Sequence, residues 1–411
     1  MVGRPSRKAI TVRDLLFLAH RIPFPPDKGD KIRSFHELRY LATRFRVHLG
    51  AFVDSQDDWR HVESLRAYCA DSCFLPLRPW QAKLRSLGGL LSGEPLTVPY
   101  YRDPRMAAWL RSVVNHNSPD AALVFSSAMA QYAQDLDIPV CVLDFVDVDS
   151  QKWTQYAESH PWPFSWLYRR EGEQLLAYER KLAQRFDVSL FVSKAEARLF
   201  TRLVPEAAER VKVLENGVDA AYFQANATYP SPYPSERPIL VFTGAMDYWP
   251  NVDGVVWFVR EVFPKVLRTW PEALFYIVGS RPHKSVLALR ERPGVCVTGR
   301  VDDVRPYLAH ANLACVPLRL ARGIQNKVLE AMAMGRALLA SPQAMEGIES
   351  VEGTAVTVAQ TVSDWVSAID AVLSQRGEPR FFSVNRDFAM KNYDWETHLA
   401  KLEFYLRGEP C

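Results

Sequence analysis

Long apolar runs are missing from this chain. No window approaches 18 uninterrupted apolar residues, so no transmembrane helix is expected. The first ten residues, Met1 to Ile10, are basic and polar and lack the apolar stretch of a signal peptide. Cysteine is scarce, at 6 in 411 residues. Cys141, Cys296 and Cys315 sit in apolar runs that predict buried strands, and Cys69 and Cys73 are read as one turn apart on a helix. Only His61 is near that pair, too few ligands for a metal, and the usage fits a reducing compartment. Charge is nearly balanced, with a net of +3, which gives no ground for a nucleic-acid partner. No G-x-G-x-x-G follows the first strand, which disfavours a dinucleotide oxidoreductase. No repeat of 20–50 residues and no long low-complexity tract is present.

What is present is an alternation of strand and helix patterns. Asp14 to His20 reads as a strand, Lys31 to Arg44 as a helix with Ile32, Phe35, Leu38 and Leu41 on one stripe, and Val47 to Val53 as a second strand. Short runs rich in Val, Leu and Phe follow at Ala121–Phe125, Val140–Phe145, Val188–Val192 and Val211–Leu214. Tyr229 to Pro238 holds four prolines in ten residues and is read as the linker. A second alternating block runs from the strand Ile239–Thr243 to the strand Ala337–Ala340, and Asn385 to Leu406 reads as helix. The pattern predicts an α/β protein of two doubly wound domains, with ligands at the carboxyl ends of the strands in a cleft between them.

The richest segment for chemistry is Gly323 to Gly335, G-I-Q-N-K-V-L-E-A-M-A-M-G, which follows a strand ending at Pro317. Gly323 permits close backbone approach, and Asn326 is read as the cap of a helix whose N-terminus favours phosphate. Lys327 adds a cation in that turn. Glu330, three residues on, shares its face and can accept both hydroxyls of a ribose. A plain surface helix with a Lys–Glu pair is the competing reading. In the first block, Pro25 to Arg33 stands between strand and helix. Gly29, Asp30, Lys31 and Arg33 are read there as an acceptor or diphosphate loop. Asp144, Asp147 and Asp149 cluster at a strand end; Asp147 is the functional candidate, while Asp149 or Ser150 is read as a helix cap. Arg78 to Arg111 holds six Lys/Arg against two Asp/Glu, interleaved with Trp and Leu. It is read either as a contact for anionic lipid or as a helix packed on the core with a solvated basic side.

The segment Glu330-Ala331-Met332-Ala333-x-Gly335, with Glu346-Gly347-Ile348 beyond the next strand, resembles the donor signature of family 4 of the retaining glycosyltransferases. Asn216-Gly217-Val218-Asp219 with Phe223, Gly244, Val278-Gly279 and Thr298-Gly299-Arg300-Val301 stand in the family's order, so the likeness spans residues from about 14 to 406. Pro25 to Ser34 and Gly244-Ala245-Met246-Asp247 resemble a subgroup found with bacterial exopolysaccharide systems. The resemblance implies a GT-B fold: an acceptor-side domain over 1–226, a nucleotide-sugar donor domain over 227–384, and a C-terminal helix, 385–411, returning to the first domain. It implies a retaining hexosyl transfer from a nucleotide-diphosphate sugar to a lipid-linked or polysaccharide acceptor. Gly244, Arg300, Gly323, Asn326 and Glu330 would bind the donor. No metal and no cofactor beyond the sugar nucleotide is expected. The expected location is the cytoplasm, with peripheral contact to the inner membrane face where the basic amphipathic pattern of 78–111 is read as a lipid contact. One departure stands out. The family carries two glutamates separated by seven residues, and the first position here is Arg322. An arginine cannot accept hydrogen bonds but can pair with diphosphate. Arg322, Lys327 and Asp147 are therefore the catalytic candidates. A binding protein without catalysis, or a nucleotide-sugar epimerase, are the alternatives on the same fold.

Overall fold

The computed structural model describes residues 12–26, 28–225, 228–234, 237–321, 323–348, 352–375 and 381–408. The chain forms two compact units. The first comprises residues up to 191, 196–214 and the C-terminal stretch from Leu399; the second comprises 192–195 and 215–398.

The first unit is built on a seven-stranded parallel sheet in the order β3-β2-β1-β4-β5-β6-β7. Its strands are β1 Asp14–Ala19, β2 Arg46–Val53, β3 Asp71–Pro76, β4 Ala121–Phe125, β5 Val140–Val146, β6 Val188–Phe191 and β7 Val211–Val213. Leu15 to Ala19 and Ala121 to Phe125 are buried throughout, because helices cover both faces of a parallel sheet. Each fully buried Leu or Phe there stabilises the unit by roughly 1.5–3 kcal/mol. The helices used below are α1 Gly29–Leu41, α2 Pro79–Ser92, α3 Asp149–Ser159 and α4 Phe164–Arg185. Cys73 lies on β3 rather than on a helix, and Cys69 lies in the turn before it. That strand was not expected, since Asp71 to Pro76 pairs only with β2 as an edge strand and carries little apolar signal.

The second unit is a six-stranded parallel sheet in the order β10-β9-β8-β11-β12-β13. These strands are β8 Ile239–Thr243, β9 Leu274–Val278, β10 Val295–Gly299, β11 Leu313–Val316, β12 Leu338–Ala340 and β13 Val356–Val358. Helix α5, Asn326–Ala333, follows β11. The proline-rich segment does not join the units, because the second one begins at Glu215. Its described part is anchored inside the second unit: Tyr233 is buried, and its hydroxyl donates to the Tyr307 carbonyl at 2.6 Å. The single C-terminal helix expected is two, Ser383–Tyr393 and α6 Trp395–Leu406. From Leu399 onward α6 belongs to the first unit, where Glu403 accepts from Tyr40 at 3.0 Å and pairs with Arg44 at 2.9 Å.

Candidate functional site

In the second unit the strand order reverses between β8 and β11, and this switch point is where doubly wound sheets bind ligands. Gly244 follows β8, and the loop into α5 follows β11, so both elements of the candidate site open onto it. The floor requires glycine. A Cβ on Gly279 would lie 1.7 Å from the Gly244 carbonyl oxygen. A Cβ on Gly244 would meet Asn251 Nδ2 at 2.9 Å and Lys327 Cε at 3.3 Å. The Lys327 stem therefore passes directly over Gly244, and its ammonium sits 5.9 Å from the Phe242 ring centre and 3.2 Å from Gln325 Oε1. Gln325 in turn donates to the Gly323 carbonyl at 3.2 Å, and Gly323 has φ 63°, a conformation that favours glycine.

Lys327 and Glu330 form the electrostatic centre. Burial pushes the Lys327 ammonium down to about 8, against the opposing pull of Glu330. Burial pushes the Glu330 carboxyl up to about 7, against the pull of Lys327. Two groups one helical turn apart are thus poised to change charge near neutrality, a displacement that makes them candidates for a site. Asn326 does not cap α5. It is the first helical residue, and its Oδ1 accepts from Asn216 Nδ2 at 3.3 Å.

Gly244, Gly323, Asn326, Lys327 and Glu330 are thus assembled at one strand edge. Arg300 is not: it is exposed in the bend after β10, which lies two strands from β8, or ~10 Å at the usual strand spacing. Arg322 lies outside the described residues. Asn216, Asn251 and Tyr222 were not singled out as site residues. Asn251 Oδ1 is buried without a hydrogen-bond partner beside the Gly244 floor. The Tyr222 ring carries the Arg305 guanidinium 4.0 Å above it, and burial, then the Asp303 charge, and least the Glu330 charge raise its hydroxyl pKa. The sequence signal for Asn216 was the N-G-V-D segment, read as a domain end. For Asn251 and Tyr222 it was absent, since neither lies in the donor signature.

In the first unit the switch point falls between β1 and β4. His20, after β1, stacks on Phe125 at the end of β4, with ring centres 5.8 Å apart. Asp30, in the first turn of α1, accepts from Arg21 at 2.7 Å and lies 3.3 Å from His20. Burial opposes its ionisation, but the His20 hydrogen bond and the Arg21 charge outweigh it and hold the carboxyl well below the usual range. Arg21 also reaches Asp54 at 2.9 Å. Gly29 is exposed at the helix start. Lys31 and Arg33 are turned inward instead of toward the loop. Lys31 pairs with Asp58 at 2.6 Å, and fully buried Arg33 pairs with Asp144 at 2.6 Å and donates to the Leu214 carbonyl at 2.7 Å. Burial, and after it the neighbouring Asp144 charge, push the adjacent Glu37 carboxyl well up. A charge buried this deeply needs its partners, which is why these cations face the interior.

Asp147 follows Val146, a β-branched residue with φ 67°, a strained conformation costing about 1–3 kcal/mol. Lys152 bridges Asp147 at 2.8 Å and Asp149 at 2.9 Å. Neither Asp149 nor Ser150 caps α3. The cap position is Val148, and the buried Ser150 hydroxyl donates to Glu179 at 2.6 Å. Among the described residues no group of three His, Cys, Asp or Glu side chains could hold a metal ion.

A sequence-family profile described as "Glycosyl transferases group 1" matches residues 237–375, the span that carries the Lys327–Glu330 site. A search of curated protein sequences returns no match. Among solved structures, sucrose-phosphate synthase from Thermosynechococcus elongatus is similar at TM-score 0.67 and 15% identity, over 96% of this chain and 98% of that one. HepE from Anabaena, in complex with UDP-glucose, is similar at TM-score 0.64 and 15% identity, over 96% and 100%. WaaG, a glycosyltransferase involved in lipopolysaccharide biosynthesis, is similar at TM-score 0.64 and 16% identity, over 96% and 100%. These likenesses establish the fold as GT-B.

Proposed function

We propose that the protein is a glycosyltransferase that moves a hexose from a nucleotide-diphosphate donor, with retention, onto a lipid-linked or polysaccharide acceptor in exopolysaccharide assembly. The observation that carries this reading is the half-buried Lys327–Glu330 pair, one turn apart at the start of α5, beside the glycine floor after β8. The profile match over the same residues and the binding of UDP-glucose by HepE support it.

In this reading Glu330 accepts the two ribose hydroxyls, and the open amides at the start of α5 face the diphosphate. Lys327, lying over Gly244, supplies a fixed cation where negative charge grows as the sugar–oxygen bond breaks. Arg322, in the place of the family's first glutamate, is assigned to the same diphosphate. The departing phosphate oxygen takes the acceptor hydroxyl proton on the face that the acceptor attacks, so no separate base is required. Asp147, held by Lys152, is assigned to orienting the acceptor rather than to proton transfer. Gly29 and Asp30 are assigned to the acceptor side, with His20 and Arg21 as their partners. A thermal-shift screen of UDP-, GDP- and ADP-sugars tests the donor assignment. One class should raise the melting temperature, by the equivalent of about 2.7 kcal/mol at a hundred times its Kd. No shift with any donor would remove the basis of the proposal.

A further inference from the structure

Helix α2 carries its apolar side chains on the wrong face for a core helix. Ala82, Ser86 and Gly89 are buried, spaced four and three residues apart. Trp80, Leu84, Leu87 and Leu91, spaced four, three and four, are 62%, 60%, 55% and 95% exposed. At 100° per residue these four form one stripe on the side of the helix opposite the buried one. Between them stand Lys83 and Arg85, both exposed. This separates the two readings left open by the sequence. The helix does pack on the unit, but through small residues, and its large apolar side chains point to solvent. The basic span 78–111 narrows accordingly to residues 78–91, since the later helix Pro104–Asn117 buries Met106, Leu110 and Val113 inward.

A second exposed apolar cluster lies on a neighbouring element. The turn after α3 and the first two turns of α4 read P-W-P-F-S-W-L-Y-R-R from Pro161 to Arg170. Trp162, Phe164 and Trp166 are 80%, 53% and 57% exposed there. Arg170 lies one turn beyond Trp166 on α4 and donates to the Gly89 carbonyl of α2 at 2.7 Å. Glu171 accepts from the Leu96 and Thr97 amides at 2.6 and 3.0 Å. The start of α4 and the end of α2 are thus fastened together. Nine of the 18 exposed large hydrophobic side chains among the described residues fall in α2 and in the stretch from Tyr156 to Trp166. Scattered exposed apolar residues need no explanation; half of them gathered at two linked elements does.

We infer that α2 and the α3–α4 turn form a membrane-docking face that inserts Trp and Leu side chains into the headgroup region of an anionic bilayer. Three features select that occupant. Tryptophan, with an apolar body and one N–H donor, favours the boundary between headgroups and acyl chains. Neither 78–93 nor 159–170 contains an acidic residue, whereas Arg78, Lys83, Arg85 and Arg169 stand exposed among the apolar side chains. Exposed basic residues beside an apolar stripe match anionic lipid. A second copy of the chain would instead bring two faces of the same sign together. The inference rests on these surface residues and not on the proposed transfer reaction.

Flotation of the full chain with vesicles tests it. Vesicles of phosphatidylcholine mixed with phosphatidylglycerol should carry the protein upward, and pure phosphatidylcholine should carry far less. Replacing Lys83 and Arg85 by Gln should weaken binding by about fivefold each. Leu84→Glu with Leu91→Glu should weaken it by at least about tenfold, as should Trp162→Ala with Trp166→Ala. All of these side chains are exposed, so circular dichroism and melting temperature should not change. Donor-only turnover should also be unchanged, which keeps this test separate from that of the reaction. Absence of binding to anionic vesicles, equal binding to neutral ones, or full binding by L84E/L91E would overturn the inference. A concentration-dependent dimer abolished by L84E/L91E would give the face to a second copy and overturn it equally.

Discussion

Replacing Glu330 by Gln keeps the shape of the site and removes its one ionisable acceptor. In the proposed complex the carboxylate accepts two ribose hydroxyls, and a hydrogen bond to a charged group contributes about 1.5–3 kcal/mol. Affinity for the nucleoside diphosphate should therefore fall by roughly tenfold to a hundredfold at pH 7.5. The pH dependence gives a sharper signature. Glu330 titrates at about 7, and ribose prefers the ionised form, so wild-type affinity should rise as pH increases through 7. Lys327 titrates at about 8, and diphosphate prefers the protonated form, so affinity should fall as pH increases beyond 8. The wild type should bind tightest between these values, each limb amounting to about tenfold one pH unit outside them. Glu330→Gln should lose the acid limb and keep the alkaline one. That limb should begin at lower pH, because the Glu330 charge is what holds the Lys327 proton. Isothermal titration calorimetry from pH 6 to 9 measures both limbs. A 2′,3′-dideoxy nucleotide should bind wild type and variant alike. Unchanged affinity with an unchanged acid limb would refute the assignment and leave Glu330 as a helix-surface residue.

Lys327→Ala and Arg322→Ala should each weaken diphosphate binding and lower turnover further, because charge stabilisation matters most in the transition state. If Arg322→Ala bound diphosphate normally but lost discrimination among sugars, that arginine would read the sugar. Gly279→Ala should destabilise the second unit by about 1–3 kcal/mol and weaken donor binding, since the new Cβ falls on the Gly244 carbonyl. Equal urea midpoints for variant and wild type would count against the glycine floor. Glu179, buried beneath Ser150, has its carboxyl pushed up to about 8 by burial. The folded state then binds more protons than the unfolded state between the ordinary glutamate value and 8. Stability of the first unit should therefore fall as pH rises through that window, by a few kcal/mol in order of magnitude. Glu179→Gln should flatten that slope in denaturant titrations, and an unchanged slope would remove Glu179 as its source.

The sheets were the most legible part of the chain, because buried parallel strands leave continuous apolar runs such as Leu15–Ala19 and Ile239–Thr243. Two of the four edge strands were not legible: Asp71–Pro76 and Val356–Val358 pair on one side and are only partly buried, whereas the Val-rich edge strands at Val211–Val213 and Val295–Gly299 were read. The pairing of Lys327 with Glu330 could be read from helical spacing, but their displaced titration could not, since it arises from burial by distant segments. The inward turn of Lys31 and Arg33 was hidden for the same reason. Their partners Asp58 and Asp144 are 27 and 111 residues away. The linker was misplaced because proline content signals irregular backbone and not whether that backbone is anchored. Tyr233 anchors it here.

The central claim is that the Lys327–Glu330 site binds a nucleotide-diphosphate sugar and promotes cleavage of its sugar–phosphate bond. Its most direct test is to incubate the protein with UDP-, GDP- and ADP-sugars in the absence of acceptor and follow products by NMR. One donor should slowly release its nucleoside diphosphate and a free sugar that first appears with the donor's anomeric configuration, and Lys327→Ala should abolish that release. A donor that binds yet is returned intact would make the protein a binding protein on this fold, and release of an epimerised sugar would make it an epimerase; either result contradicts the account.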